Sequence, residues 1–379
     1  MVNSEAGMLI KSLTMINFRK YQQVSMNFGP HTNILHGENG AGKTTLLEAI
    51  HSLAYTRSFK TRLDGDLARH GEPGYQLKGL FSDQGGVDHE VRVKVESNRK
   101  KLVSVNDENL SSRAQIIGRF PLVSLTPEDG ELTFGSPEAR RLFFNKLLSQ
   151  IDPGYLEKLQ VYARLLKQRN AMLQAYANDG EDIDRMLLAS LDEQRATVSA
   201  QLHEARNEHI GEFKKLLYAA YGELEREKSL KMAFISNVRV TSDDHVIDYR
   251  RAFQESLAED KRKGTTTKGP HRDLFTFYLN TKDLRKFGSQ GEHKLVLVAI
   301  KFAEGRFLEN FLNESPVFLL DDLFAELDVK RSLMIVESLQ GDHQIFITAT
   351  DLADLRNHGL KVEGDSLQVI DAGKIQEND

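Results

Sequence analysis

Gly37-Glu38-Asn39-Gly40-Ala41-Gly42-Lys43-Thr44 reads G-x-x-x-x-G-K-T, the pattern of a phosphate-binding loop. Ahead of it, Asn33-Ile34-Leu35-His36 is a short apolar run that predicts a buried strand. Behind it, Leu46, Leu47, Ala49, Ile50 and Leu53 recur at helical spacing. Strand, loop and helix in that order are the context in which the motif holds a nucleoside triphosphate. Glycines let backbone amides close on phosphate oxygens where side chains would clash. Those amides and the new helix N-terminus supply donors and positive potential. Lys43 is expected to reach the β- and γ-phosphates and Thr44 to hold Mg²⁺, with Thr45 following on the phosphate side.

The chain has 379 residues, enough for two domains or one split by an insertion. A net charge of −5 provides no global basic field to draw it to DNA or to an anionic membrane, so nucleic-acid contact requires a local patch. With no cysteine, disulfides and thiolate metal sites are excluded. That composition suits a reducing cytosol, and a cytoplasmic protein is expected. Leu295–Ile300 is among the longest apolar runs, far short of a bilayer span, so no membrane partner is expected.

Upstream, Leu9–Phe18 and Val24–Phe28 alternate as strands, with Arg19-Lys20-Tyr21 between them in a hairpin. That turn is either solvated or a nucleotide contact, and Arg19 is a candidate for the latter. Alternation over Tyr75–Val105 predicts an antiparallel sheet, and Phe120–Leu125 one more strand. The period then changes. Ser136-Pro137 is a helix start, and stripes through Leu142–Ile151, Leu159–Tyr176 and Ile183–Leu224 predict a helical insertion over 136–229, read as a long antiparallel pair. Strands are expected at Lys231–Ser236 and Leu274–Leu279, and a helix at Val246–Glu259 before a charged Lys261–Gly264 loop. Three segments follow: 1–130 and 241–379 as the two parts of an α/β lobe with a mixed sheet plus an antiparallel sheet, and 131–240 as an inserted helical lobe.

A phosphate loop alone does not choose among nucleotide-using classes; the second half does. Val317-Phe318-Leu319-Leu320 ends in Asp321-Asp322, four apolar residues and two acids, as in a Walker B strand. Asp321 is placed to order a Mg²⁺ shell, since the metal needs a second anchor beside Thr44. Ser289-Gln290-Gly291-Glu292 opens an apolar helix about thirty residues earlier, and Ser289 and Gly291 at a helix head make an anion site. The segment resembles the ABC-ATPase signature, Ala325-Glu326-Leu327-Asp328 resembles that superfamily's D-loop, and Thr348-Ala349-Thr350 occupies its switch position.

Taken together, Ile16–Tyr21, Gly37–Ile50, Thr126–Asp129, Gly135–Pro137 with Arg140-Arg141, Gly269-Pro270-His271-Arg272-Asp273 and Leu319–Asp322 resemble the RecF family of bacterial recombination-repair ATPases over about residues 9–371. The resemblance implies an ABC-type P-loop lobe made from both chain ends and an ATP-dependent homodimer in which Ser289 of one copy meets the nucleotide held at Lys43 of the other. It also implies DNA binding at gapped or single-strand–duplex junctions, RecR and RecO as partners, and help in loading RecA. Two departures bear on chemistry. Asp322 replaces the glutamate usual in ABC enzymes, and a carboxylate one methylene shorter reaches an attacking water less easily, so a weak DNA-stimulated ATPase below about 10 s⁻¹ is expected. Thr348 or Thr350 replaces the switch histidine, and no glutamine fits the glutamine loop, whose place Thr126–Asp129 takes.

Candidate DNA contacts are Arg57, Lys60, Arg62, Arg99, Lys100, Lys101, Arg140 and Arg141, each of which could equally be a solvated surface cation. Competing readings are an SMC-like head, disfavoured by the short 136–229 insertion; a transporter subunit, disfavoured by the missing glutamate and histidine; and an ATP switch that never hydrolyses. A GTPase is disfavoured because Asn280-Thr281-Lys282-Asp283 carries its lysine one place late for base reading.

Overall fold

The computed structural model describes residues 7–61, 63–97, 100–322 and 343–351, with Met334, Leu355 and Leu367–Asp371. Two units divide the chain. One collects Met1–Gly130, Ala219–Glu227 and Ser289–Asp379, the other Glu131–Tyr218 and Lys228–Gly288.

In the first unit β1 (Leu9–Phe18) and β2 (Tyr21–Asn27) form the expected hairpin, with Phe18 opposite Tyr21. β3 (Thr32–His36) runs into the phosphate loop, and α1 (Lys43–Tyr55) leaves it. β4 (Tyr75–Ser82), β5 (Asp88–Val95), β6 (Lys101–Val105) and β7 (Glu108–Asn109) extend the hairpin into an antiparallel sheet ordered β2-β1-β4-β5-β6-β7. β8 (Leu122–Leu125) joins a second sheet.

The second unit follows with α2 (Glu131–Phe134), α3 (Pro137–Ile151), α4 (Pro153–Asp179) and α5 (Arg185–Leu224), whose last turns return to the first unit. The helical stripes therefore make three long helices rather than one antiparallel pair. β9 (Leu230–Ile235), α6 (His245–Lys263), β10 (Leu274–Leu279), β11 (Lys282–Asp283) and α7 (Leu284–Phe287) complete the unit. This places 241–288 with the inserted lobe, not with the C-terminal part of the ATPase lobe. The reason is register: β10 pairs antiparallel with β9 residue for residue, Leu274 to Ile235 through Leu279 to Leu230. Phe275 of β10 stacks on Phe144 of α3 at 4.2 Å and on Phe234 of β9 at 5.0 Å. Lys261–Lys263 form the last turn of α6 rather than a loop; Gly264 stops the helix in the left-handed region, and the basic residues face the negative end of its dipole.

Back in the first unit, α8 (Gln290–Leu312), β12 (Val317–Leu320), β13 (Ile345–Ala349) and β14 (Leu367–Asp371) complete the fold. The second sheet has the order β14-β3-β13-β12-β8 with every described pairing parallel. Every residue from Leu46 to Tyr55 is buried, because α1 shares one core with Leu13, Val91 and Val93 of the antiparallel sheet and Leu35, Leu319 and Phe346 of the parallel one. A helix sandwiched in this way is buried on all sides, its polar Glu48, His51 and Ser52 included. The carboxyl ends of β3, β13 and β12 thus lie side by side, where open α/β sheets place their ligands.

Candidate functional site

The loop after β3 turns on glycine. Gly37, Gly40 and Gly42 have φ of 146°, 82° and 104°, conformations that L side chains rarely adopt. At Gly42 a Cβ would also collide with the Tyr21 hydroxyl and stand 2.6 Å from Lys20 Cε. The Lys43 ammonium folds across the loop and donates to the carbonyls of Gly37 at 2.6 Å and Glu38 at 3.0 Å. Burial holds its pKa below the usual lysine value, against the pull of Asp321 and Asp322.

The hairpin closes one side of this loop. Lys20 Nζ donates to the carbonyls of Gly40 (3.1 Å) and Ala41, and the Tyr21 hydroxyl also donates to Ala41 at 3.3 Å. Arg19, the residue expected at the nucleotide, is engaged elsewhere. Its guanidinium makes a two-pronged bond to the buried Glu48 of α1 at 2.9 and 2.7 Å and donates to the Asp66 carbonyl at 2.8 Å. Ser58 supplies a third donor to Glu48. The turn therefore supports the loop through Lys20 and Tyr21, while Arg19 neutralises a carboxylate inside α1.

Across the sheet, Thr44 Oγ1 donates to Asp321 Oδ1 at 3.0 Å. Thr348, at the end of the intervening β13, donates to the same oxygen at 2.9 Å and accepts the Asp322 N–H at 2.9 Å. Asp321 is 7% exposed, and burial raises its pKa above the usual carboxylate range while Thr44, Thr348 and Lys60 oppose the rise. Asp322 is exposed with φ +54°. Of the two threonines at the switch position, Thr348 is buried and Thr350 exposed.

Residues 9–358 match the family described as RecF/RecN/SMC N terminal domain. The chain is 34% identical over 374 residues to a DNA replication and repair protein RecF from Streptococcus pneumoniae (strain P1031), covering 98% of this chain and 100% of that protein. The chain belongs to the RecF family. A structure of the recombination mediator protein RecF-ATP in the RecFOR pathway superposes with a TM-score of 0.89 at 28% identity, covering 100% of both chains. The Smc head domain from Pyrococcus furiosus, bound to the C-terminal domain of ScpA, reaches 0.52 at 15% identity over 92% of each, a likeness of fold alone. The ABC-type α/β fold expected from the sequence is the fold of this family.

Of the segments that resemble ABC-ATPase motifs, Ser289 lies exposed at the head of α8. Its backbone N–H and hydroxyl donate to Glu292 at 2.7 and 2.8 Å, and its oxygen accepts the Glu292 N–H at 3.3 Å, a complete capping box. Gly291 is exposed one residue in from the helix start. Ala325–Asp328 lie outside the described residues. Thr126–Asp129, standing where a glutamine loop would be, is closed on itself: Asp129 accepts the Thr126 amide at 2.9 Å and pairs with the buried Lys301 of α8 at 3.0 Å.

The candidate DNA contacts separate by burial. Arg57, Lys60 and Lys100 are exposed. Lys101 is not a surface cation: its side chain is 4% exposed, donating to the Thr56 carbonyl at 2.8 Å and paired with Asp64. Arg140 is 5% exposed and donates to the carbonyls of Phe275 (2.6 Å), Gly135 (3.2 Å) and Leu132 (3.4 Å), so it ties α3 to β10 instead of facing solvent. Arg141 is half-buried and donates to the Asp273 carbonyl at 3.1 Å. Arg62 and Arg99 lie outside the described residues.

The Gly269–Asp273 motif, for which the sequence suggested no task, organises the second unit. Asp273 pairs with the buried Arg206 of α5 and accepts the Asn237 N–H at 2.8 Å; His271 Nδ1 meets the Tyr162 hydroxyl at 2.5 Å. A charged pair flanked by glycine and proline was the available signal, but its partners lie tens of residues away.

Proposed function

We propose that this chain is a DNA replication and repair ATPase that binds ATP with Mg²⁺ at Gly37–Thr45 and Asp321, dimerises on the nucleotide, and holds gapped or junction DNA while so closed. The observation that carries the reading is the Thr44 hydroxyl on the Asp321 carboxylate at 3.0 Å, beside a loop whose Gly37, Gly40 and Gly42 all stand at positive φ. A hydroxyl and a buried carboxylate are a donor set that fits Mg²⁺, which takes few protein ligands and completes its shell with phosphate oxygens and water. The ion, when bound, neutralises phosphate charge. Lys43 then holds the phosphate tail, Thr44 and Asp321 orient the ion, and Asp322 accepts a proton from the attacking water. The shorter Asp322 carboxylate makes turnover slow.

The second nucleotide contact comes from Ser289 and Gly291 of a twin subunit, at an exposed helix head whose positive dipole end faces the γ-phosphate and whose capping bonds to Glu292 open on contact. Hydrolysis opens the dimer. RecR and RecO are its partners, in keeping with the RecFOR pathway named for a structural relative, and RecA loading is its outcome. Cytoplasmic residence follows from that work on DNA; among the described residues no helix is long and apolar enough to cross a membrane.

Light scattering with ATP, ADP and no nucleotide, each with and without gapped DNA, tests this. A doubling of mass with ATP alone, lost in Lys43→Ala and in Ser289→Arg, is expected. A Lys43→Ala protein that still dimerises with ATP overturns the coupling. Single-turnover phosphate release distinguishes the ATPase from a switch that binds without hydrolysing.

A further inference from the structure

The sheet order β3-β13-β12 puts one strand between the phosphate loop and the Asp321-Asp322 pair. The residue of that strand facing the pair is Thr348, 4% exposed, and its single hydroxyl is used twice. It donates to Asp321 Oδ1 at 2.9 Å and accepts the Asp322 amide at 2.9 Å. Asp322 stands at φ +54°, a region few non-glycine residues adopt and which surroundings must hold in place. The residue itself is exposed.

We infer that Thr348 is the positioning residue that locks the left-handed turn at Asp322, so that one hydroxyl sets both the metal-side carboxylate and the direction of the next one. The inference rests on the proposed ATPase reading. It separates the roles of the two threonines: Thr348 acts through the aspartates, and the exposed Thr350 has no part in the turn. Valine matches threonine in shape and lacks the hydroxyl; serine keeps the hydroxyl and loses a methyl. A residue that matters only for packing responds to both changes, whereas a hydroxyl clamp responds only to valine.

The experiment compares wild type, Thr348→Val and Thr348→Ser in the full chain. Three quantities are read: affinity for a fluorescent ATP analogue, single-turnover phosphate release with Mg²⁺, and backbone hydrogen exchange of the peptide carrying Asp321 and Asp322. In Thr348→Val, release slows by about tenfold or more while nucleotide affinity stays within about threefold, because positioning is felt in the chemical step. The peptide exchanges about tenfold faster, because the Asp322 amide has lost its acceptor. Thr348→Ser restores both to within about threefold of wild type. A Thr348→Val protein with wild-type release and exchange overturns the inference, as do equal losses in both variants. If the wild type releases no phosphate, the ATPase reading fails, and the exchange comparison still decides whether Thr348 holds the turn.

Discussion

Thr44 and Asp321 stand 277 positions apart in the chain and 3.0 Å apart in the fold. Replacing either should therefore be felt in the metal rather than in the loop. Asp321→Ala is expected to retain ATP binding without Mg²⁺ and to lose the extra thermal stabilisation that Mg²⁺ adds. Saturating ligand at a hundred times its Kd contributes about 2.7 kcal/mol, so the missing increment is readable in a melting curve. Lys43→Ala should lose the ATP-induced shift altogether.

Asp321 also fixes a pH dependence. Its folded pKa lies above the unfolded value, chiefly through burial, so the native state binds the proton more tightly than the unfolded chain. The stabilisation this provides is present at acid pH and is lost as pH rises through the folded pKa. At pH 7 the nucleotide-free protein therefore lacks that contribution. Asp321→Asn should raise Tm there by about 2 °C, with the advantage vanishing near pH 4.

Two histidines of the second unit act in the opposite sense. Burial pushes both His271 and His203 down to about 4. Depressed below the unfolded value, they stabilise the unit above about pH 6.5 and lose that contribution as pH falls toward 4. With two protons taken up on unfolding, the slope reaches about 2.7 kcal/mol per pH unit at its steepest. Urea unfolding at pH 7, 6 and 5 measures it, and His203→Gln with His271→Gln should flatten the curve.

Arg206 and Asp273 are 1% and 0% exposed, so removing either leaves a charge inside the protein without its counterion. Arg206→Met and Asp273→Ala are each expected to cost about 3–5 kcal/mol by denaturant unfolding, and the double variant less than their sum.

The basic residues should divide in solution as they do by burial. Glutamate at Arg57, Lys60 or Lys100 should weaken DNA binding and lower the slope of log affinity against log salt by about 0.9 for each phosphate that is no longer neutralised, with Tm little changed. Substitution of Lys101 or Arg140 should instead lower Tm, because each satisfies buried carbonyls.

The phosphate loop, its strand and helix, and the Asp321-Asp322 strand end were legible in the sequence because each is written in adjacent residues: glycines, an apolar run, a helical stripe. Long-range pairing was not. Lys231–Ser236 and Leu274–Leu279 both read as strands, yet nothing local says that they pair with each other across α6, and that pairing is what holds 241–288 in the second unit. Charge misled for a related reason. Arg140 and Lys101 carry the signature of a surface, and only the folded chain reveals the carbonyls that draw them inward. Thr348 stood in a recognised place, but its two bonds depend on a strand order that the chain sequence does not spell out.

The Gly37–Thr44 loop is walled by Lys20 and Tyr21, residues reached before the motif itself begins. No minimal fragment starting at β3 can therefore stand in for the whole. Trimmed of its first hairpin, such a piece would take the Lys20 donor from the Gly40 and Ala41 carbonyls, leave Glu48 without the Arg19 guanidinium, and remove Leu13 and Met15 from the core around α1. Efforts to isolate a small nucleotide-capturing module from this protein should begin no later than Leu9.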